Sequence, residues 1–192
     1  MSQMNWDREV DVLVVGTGNG GLTAAVCNWE MGTKNVLIIE KQDKVGGTSA
    51  TSGGGIWIPN SHYAKEVGAE DSPEAAKAYL MNTLFGEDVP EEMIDIYLEK
   101  APEMLKYLHE RTDVRYESLA EYPDYYTNME GAREGHRSLE PAPIMASELG
   151  AHWKNMTWTH FMMRMFNRIH FTQVEAHLLM VQLPGWKKLL AR

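Results

Sequence analysis

The sequence predicts an α/β fold: a Rossmann-like βαβ unit at the N-terminus followed by a mainly helical region. Three observations carry this. A β-branched apolar run, Val12 to Val15, leads straight into glycines at 16, 18 and 21; a second run, Val36 to Ile39, ends on an acid, Glu40; and from Pro73 onward apolar residues recur at helical spacing.

The first run is continuously apolar, as in a strand buried on both faces of a parallel sheet. Gly16, Gly18 and Gly21 then stand in G-x-G-x-x-G spacing, for a sharp turn off the strand, close backbone approach to a pyrophosphate, and tight packing of helix on strand. The spacing predicts a helix from about Gly20 to Met31, with Ala25 extending its small-residue face and Gly32 stopping it. Its free amides and positive dipole end would face the phosphate. Glu40 follows Gly16 by 24 positions, near the roughly 20 expected for an acid that accepts hydrogen bonds from ribose hydroxyls. Strand, turn, helix, strand and acid in this order predict a dinucleotide site.

The next stretch, KQDKVGGTSATSGGGIWIP, is too rich in Gly, Ser and Thr for a regular amphipathic helix. Gly46-Gly47 and Gly53-Gly54-Gly55, with four hydroxyl side chains between them, suit a loop wrapped around an extended polar ligand. Ile56, Trp57 and Ile58 tie that loop into a core. Ser72-Pro73-Glu74 opens a helix running to about Phe85. Pro90-Glu91-Glu92 opens another, whose stripe is Ile94, Tyr97, Leu98, Ala101, Met104, Leu105 and Leu108; Pro102 predicts a kink or two short helices in it. Val114 to Leu119 reads as a strand. From Glu121 to Leu149 prolines and glycines forbid long elements, yet Tyr122, Tyr125 and Tyr126 cluster there, the mark of a functional irregular segment. A helix is expected from Trp153 to about Phe171, with Trp158, Met162, Met165 and Ile169 on one side and Arg164 and Arg168 on another. Such a basic, Met-rich helix packs on its own protein in the favoured reading, with peripheral membrane contact or an apolar ligand as the other.

The 192 residues suit one domain and part of another, and the net charge of −9 excludes a general nucleic-acid binder. That charge is uneven: 12 Lys and Arg stand against 26 Asp and Glu up to Ala151, but 6 against 1 from His152 on. The step predicts a boundary, with residues 8–151 as the nucleotide-binding part and 152–192 as a helical, Met-rich basic segment. Cys27 is the single cysteine and reads as a structural thiol of a reducing compartment. With no apolar signal region and no apolar run near 20 residues, the expected location is cytoplasmic, with membrane association as a secondary expectation. His152, His160, His170 and His177 match no metal-ligand spacing, so no metal is expected.

The runs VLVVGTGNGGLTAA, VLIIEK, VGGTSATSGGGIWIPN, YPDYY and GHRSLEP together resemble the N-terminal part of the 3-ketosteroid Δ1-dehydrogenases, within the fumarate reductase and succinate dehydrogenase flavoprotein group. The resemblance covers most of residues 10–150 and implies an incomplete FAD/NAD(P)-binding domain. It implies an FAD enzyme that takes a hydride from C1 and a proton from C2 of a 3-ketosteroid, leaving a 1,2 double bond, with an apolar steroid-like substrate and the electron acceptor left open. Carried over by motif, Gly16, Gly18, Gly21 and Glu40 hold the ADP half of FAD. Lys41, Gly46, Gly47, Thr48 and Ser49 follow the pyrophosphate and ribityl chain, and Ser52, Gly53 and Gly54 approach the flavin ring. Tyr125 matches the tyrosine that assists the proton-abstracting tyrosine.

Relatives with covalent flavin attach it through a histidine where this chain reads SATSGGG, so the FAD is expected to be non-covalent. Members of the family are much longer, and the proton-abstracting and carbonyl-polarising residues lie beyond what aligns. The expectation is an N-terminal fragment, doubtfully active alone. The alternatives are a fumarate-reductase-like flavoprotein acting on another activated C–C bond, or a non-catalytic FAD-binding remnant.

Overall fold

A computed structural model describes residues 6–160, 164–165 and 169–191. Its elements in chain order are β1 (Val12–Val15), α1 (Asn19–Glu30), β2 (Val36–Ile39), α2 (Gly47–Thr51), β3 (Ile56–Trp57), α3 (His62–Glu66), α4 (Pro73–Asn82) and α5 (Glu91–Arg111). There follow β4 (Tyr116–Ser118), β5 (Ser138–Pro141), a 3₁₀ helix (Ala146–Asn155), β6 (Arg164–Met165), β7 (Ile169–His170), α6 (Gln173–Met180) and α7 (Trp186–Leu190). The chain divides into two units, each drawn from two stretches: Met1–Gly53 with Ile144–His170, and Gly54–Pro143 with Phe171–Arg192.

In the first unit β1 and β2 pair in parallel from Val12 opposite Val36 to Val15 opposite Ile39, and α1 is the crossover between them. Gly32, at φ +107°, closes off the turn behind α1 and donates its amide to the Trp29 carbonyl. The expectation of a strand buried on both faces is corrected: Val14 is buried, but Leu13 is 53% and Val15 76% exposed. Among the described residues this sheet has two strands, and α1 packs on the face that carries Val14.

Among the described residues, the helix expected from Trp153 to Phe171 does not form. The 3₁₀ helix ends at Asn155, and Met156 pairs with Val45, the Val45 amide donating to the Asn155 carbonyl (2.8 Å) and the Thr157 amide to the Val45 carbonyl (2.7 Å). Thr157, Trp158 and Thr159 are β-branched or aromatic and favour that extended backbone. Arg164 lies over the Trp158 ring at 5.2 Å, and β6 and β7 pair antiparallel; Met162 and Arg168 lie outside the described residues.

In the second unit an antiparallel sheet of order β3-β5-β4 packs against α5. The core is Ile58, Tyr63, Ala101, Leu105 and Leu139, with Ile56 and Tyr116 against it. Of the predicted stripe of α5, Ile94, Ala101 and Leu105 are buried. Pro102 does not split α5, which runs as one helix of 21 residues because residues on both sides of it are held by the same core. Ser72 caps α4 by accepting the Ala75 amide at 3.0 Å, as its Ser-Pro start predicts. Glu140, buried at 2% exposure, accepts the Gln173 amide at 2.7 Å and so caps α6 from β5.

Candidate functional site

Two places carry the candidate residues, one in each unit. In the first, the chain leaves β1 at Gly16, whose amide donates to the Ile39 carbonyl at 2.7 Å. This bond continues the β1–β2 ladder into the turn. A Cβ on Gly21 would stand 2.2 Å from the Gly16 carbonyl oxygen, so only glycine allows α1 to start this close to the strand. Gly18 is the N-cap of α1 and supplies no side-chain cap. Ser49 of α2 does so from a distance, its Oγ accepting the Asn19 amide at 3.0 Å. No acidic side chain stands in the first turn of α1, so its positive end is not neutralised from within the helix.

Thr17, buried at 5% exposure, joins the parts. Its amide (3.0 Å) and its hydroxyl (2.5 Å) both donate to Oε2 of Glu40, while the hydroxyl accepts the Gly46 amide at 2.9 Å. Oε1 of Glu40 accepts the Gln42 amide at 3.0 Å. Led by the Thr17 hydroxyl, these donors hold the Glu40 carboxyl below its ordinary pKa, so it is an anion with lone pairs to spare for hydroxyl donors. Sequence reading missed Thr17, although a hydroxyl inside the G-x-G turn is a visible signal for such a link.

Gly46, at φ +117°, is the N-cap of α2, and a Cβ there would meet that of Ala50 at 2.7 Å. Gly47, Thr48 and Ser49 form the first turn of α2, so the hydroxyl-rich loop contains one short helix. Lys41 is exposed next to Glu40, Ser52 ends α2, and Gly53 is exposed beyond it. The structure thus brings together Gly16, Gly18, Gly21, Glu40, Gly46, Gly47 and Ser49. Gly54 belongs to the second unit, at φ +73°, where a Cβ would stand 2.6 Å from Pro141 Cγ.

Tyr125 also belongs to the second unit and is 82% exposed. Its ring centroid lies 6.4 Å from that of Tyr122, whose phenol is held above its ordinary pKa first by a hydrogen bond with Tyr125 and then by burial. The residue before Tyr125 is fixed deep in the unit. Asp124, at 4% exposure, accepts the Trp57 indole N–H on Oδ1 (2.6 Å), and on Oδ2 the Arg137 guanidinium (2.8 Å) and the Arg133 amide (2.9 Å). Arg137, 2% exposed, also forms a bidentate pair with Asp71, both bonds 2.8 Å. Sequence reading missed Asp71, Asp124 and Arg137, since nothing local marks two acids as partners of one buried arginine.

A strand-turn-helix cradle with an ionised acid at the end of the second strand fits a dinucleotide, and comparison with known proteins specifies which. The chain belongs to the flavoprotein family defined by an FAD binding domain, matched over residues 11–190, and its cofactor is FAD. It is 44% identical over 144 residues to a 3-oxosteroid 1-dehydrogenase of Mycobacterium tuberculosis, covering 75% of this chain and 25% of that protein. It is 39% identical over 131 residues to a 4-oxocyclohexanecarboxylate 2-dehydrogenase of Sinomonas cyclohexanicum, covering 68% of this chain and 22% of that protein. Among solved structures it matches 3-ketosteroid Δ1-dehydrogenase from Sterolibacterium denitrificans in complex with 1,4-androstadiene-3,17-dione, with TM-score 0.85 and 37% identity, over 94% of this chain and 31% of that one. The chain thus spans about a quarter of the length of these curated relatives.

Proposed function

We propose that this chain is the FAD-cradling N-terminal portion of a 3-ketosteroid Δ1-dehydrogenase, which removes hydrogen from C1 and C2 of a 3-ketosteroid. The observation that carries this is the structural match at TM-score 0.85 over 94% of the chain. FAD supplies the two-electron acceptor for the hydride.

In this reading the amides at the start of α1, with Gly16, Gly18 and Gly21, hold the pyrophosphate of FAD, and the Glu40 carboxylate accepts the ribose hydroxyls. Lys41, Gly46, Gly47, Thr48 and Ser49 line the path to the ribityl chain, and Ser52, Gly53 and Gly54 the approach to the ring. No histidine stands between Ser49 and Gly55, which supports non-covalent FAD. Tyr125 assists proton removal. A Tyr122 hydroxyl that donates to Tyr125 leaves the Tyr125 hydrogen to be given to another phenol, and a phenolate so supported is a base of lowered pKa.

The test is oxidation of a 3-ketosteroid by the full-length product with an electron-accepting dye. A protein that carries FAD and leaves the steroid unchanged overturns the steroid reading. The identity to a 4-oxocyclohexanecarboxylate dehydrogenase favours a second reading, the same chemistry on a monocyclic oxo acid. Turnover of that acid in place of the steroid selects it. Among the described residues no helix is long and apolar enough to cross a membrane. Membrane contact in this reading is peripheral, and co-sedimentation with lipid vesicles tests it.

A further inference from the structure

The buried ion cluster at Arg137 brings two aspartates, Asp71 and Asp124, onto one guanidinium. Taking three charged side chains out of water is costly, and apolar residues of similar size would hold a core as well. Here the cluster is wrapped in aromatic rings, with the guanidinium 5.6 Å from the Trp57 ring centroid and 5.7 Å from that of Tyr79. What it anchors is the backbone on both sides of Tyr125. Asp124 is held through its carboxylate and by its amide, which donates to the Arg133 carbonyl at 2.9 Å. The Tyr126 amide donates to the Tyr79 hydroxyl at 3.2 Å. Gly131 seats the same segment on α4, since a Cβ there would come within 2.1 Å of the Ala75 carbonyl oxygen. Tyr125 projects from between these two anchors.

We propose that Asp124 and Arg137 are positioning residues for Tyr125. They hold the phenol in a fixed place on the surface of the second unit, so that it meets its proton-transfer partner without first being ordered. The proposal rests on the reading of Tyr125 as the assisting phenol. Misplacing a reacting group by about 1 Å costs on the order of 100-fold in rate, so a rigid support has a function that exposure of Tyr125 alone would deny it.

The test compares Asp124→Asn, Tyr125→Phe and the double variant in the flavin-loaded full-length protein. Asparagine keeps an acceptor for Trp57 but turns an N–H donor toward the donors of Arg137 and Arg133. We expect kcat to fall at least 10-fold in Asp124→Asn, with KM for the steroid within about 3-fold and the flavin spectrum unchanged. The double variant should be no slower than Tyr125→Phe, because residues that act as one unit are not additive. With 3-fluorotyrosine at position 125, the ¹⁹F resonance should move toward that of the free amino acid. If Tyr125→Phe leaves turnover intact while the resonance moves in Asp124→Asn, the reading of Tyr125 has failed and the positioning stands. An unmoved resonance, or losses that multiply in the double variant, overturns the proposal. Should Asp124→Asn not fold, Arg137→Lys, which keeps the charge and loses the bidentate fork, is judged by the same kcat, KM and ¹⁹F outcomes.

Discussion

The two units hold their candidate residues by opposite means. The cradle at β1, α1 and α2 is made of glycines that approach within contact and of backbone amides received by three side chains, Glu40, Ser49 and Thr17. The tyrosine segment is held by side chains, with Arg137 between two aspartates and two aromatic rings. The strand, turn and helix start of the cradle follow from local sequence, while its links from Thr17 to Glu40 and from Asn19 to Ser49 span 23 and 30 positions. A side-chain site depends on partners far apart in the chain.

That contrast is tested most severely at Arg137. Arg137→Ala leaves Asp124 buried without a counter-charge and Asp71 with only the longer Arg133 contact at 3.8 Å, and is expected to destabilise the protein by about 3–5 kcal/mol. A urea midpoint close to that of wild type would show that the charges do not hold the segment. Next in size is Gly21→Ala. Its Cβ forces the turn away from Gly16, an overpacking cost of about 1–3 kcal/mol, which weakens FAD binding by up to roughly 150-fold where FAD requires the undistorted turn. Flavin titration measures it, and unaltered affinity would remove Gly21 from the cradle.

These two positions also mark how far the sequence was legible. β2 forms over the residues predicted, and α1 falls within a residue of its expected limits, because glycine spacing and apolar runs are local signals. That β1 is buried on one face was not legible: burial depends on layers that four apolar residues cannot specify. The region from Trp153 onward misled because apolar and basic residues at helical spacing suggest a helix, whereas the partner that draws Met156 into an extended pairing is Val45, far back in the chain. The tyrosine cluster was visible in the sequence as a candidate. Its support was not, since the Arg137–Asp71 bonds join residues 66 positions apart. Gly131 and Gly135 looked like helix breakers alone. Both are points of close approach, with a Cβ on Gly135 falling 1.9 Å from the Ala120 carbonyl oxygen.

A smaller effect separates the cradle's carboxylate from its backbone. Glu40 titrates below its ordinary value of 4.5, because Thr17 and Gln42 donate to its ionised form. The stability these bonds supply is complete above pH 4.5 and is lost as pH falls through the lower folded value. Wild type should therefore lose stability more steeply below pH 4.5 than Glu40→Gln, as acid-unfolding curves would record. Parallel curves would show that the carboxylate is not held by the turn. Smallest is Ser49→Ala, which removes the acceptor for the Asn19 amide at the start of α1. It is expected to lower stability by about 0.5–1.5 kcal/mol in urea titrations, and no loss at all would show that α1 needs no cap from α2.

The bond from Glu140 to the Gln173 amide spans 33 positions, and it bears on how this chain can change length. For the second unit, the stretch from Ile144 to His170 is a detour that leaves after Pro143 and returns at Phe171, with its two sides tied together by that carboxylate. Loop-closure entropy grows only logarithmically, so doubling such a detour costs about 0.6 kcal/mol. Insertions between residues 144 and 170 therefore load the second unit lightly, and the length of that stretch is set by the unit it visits.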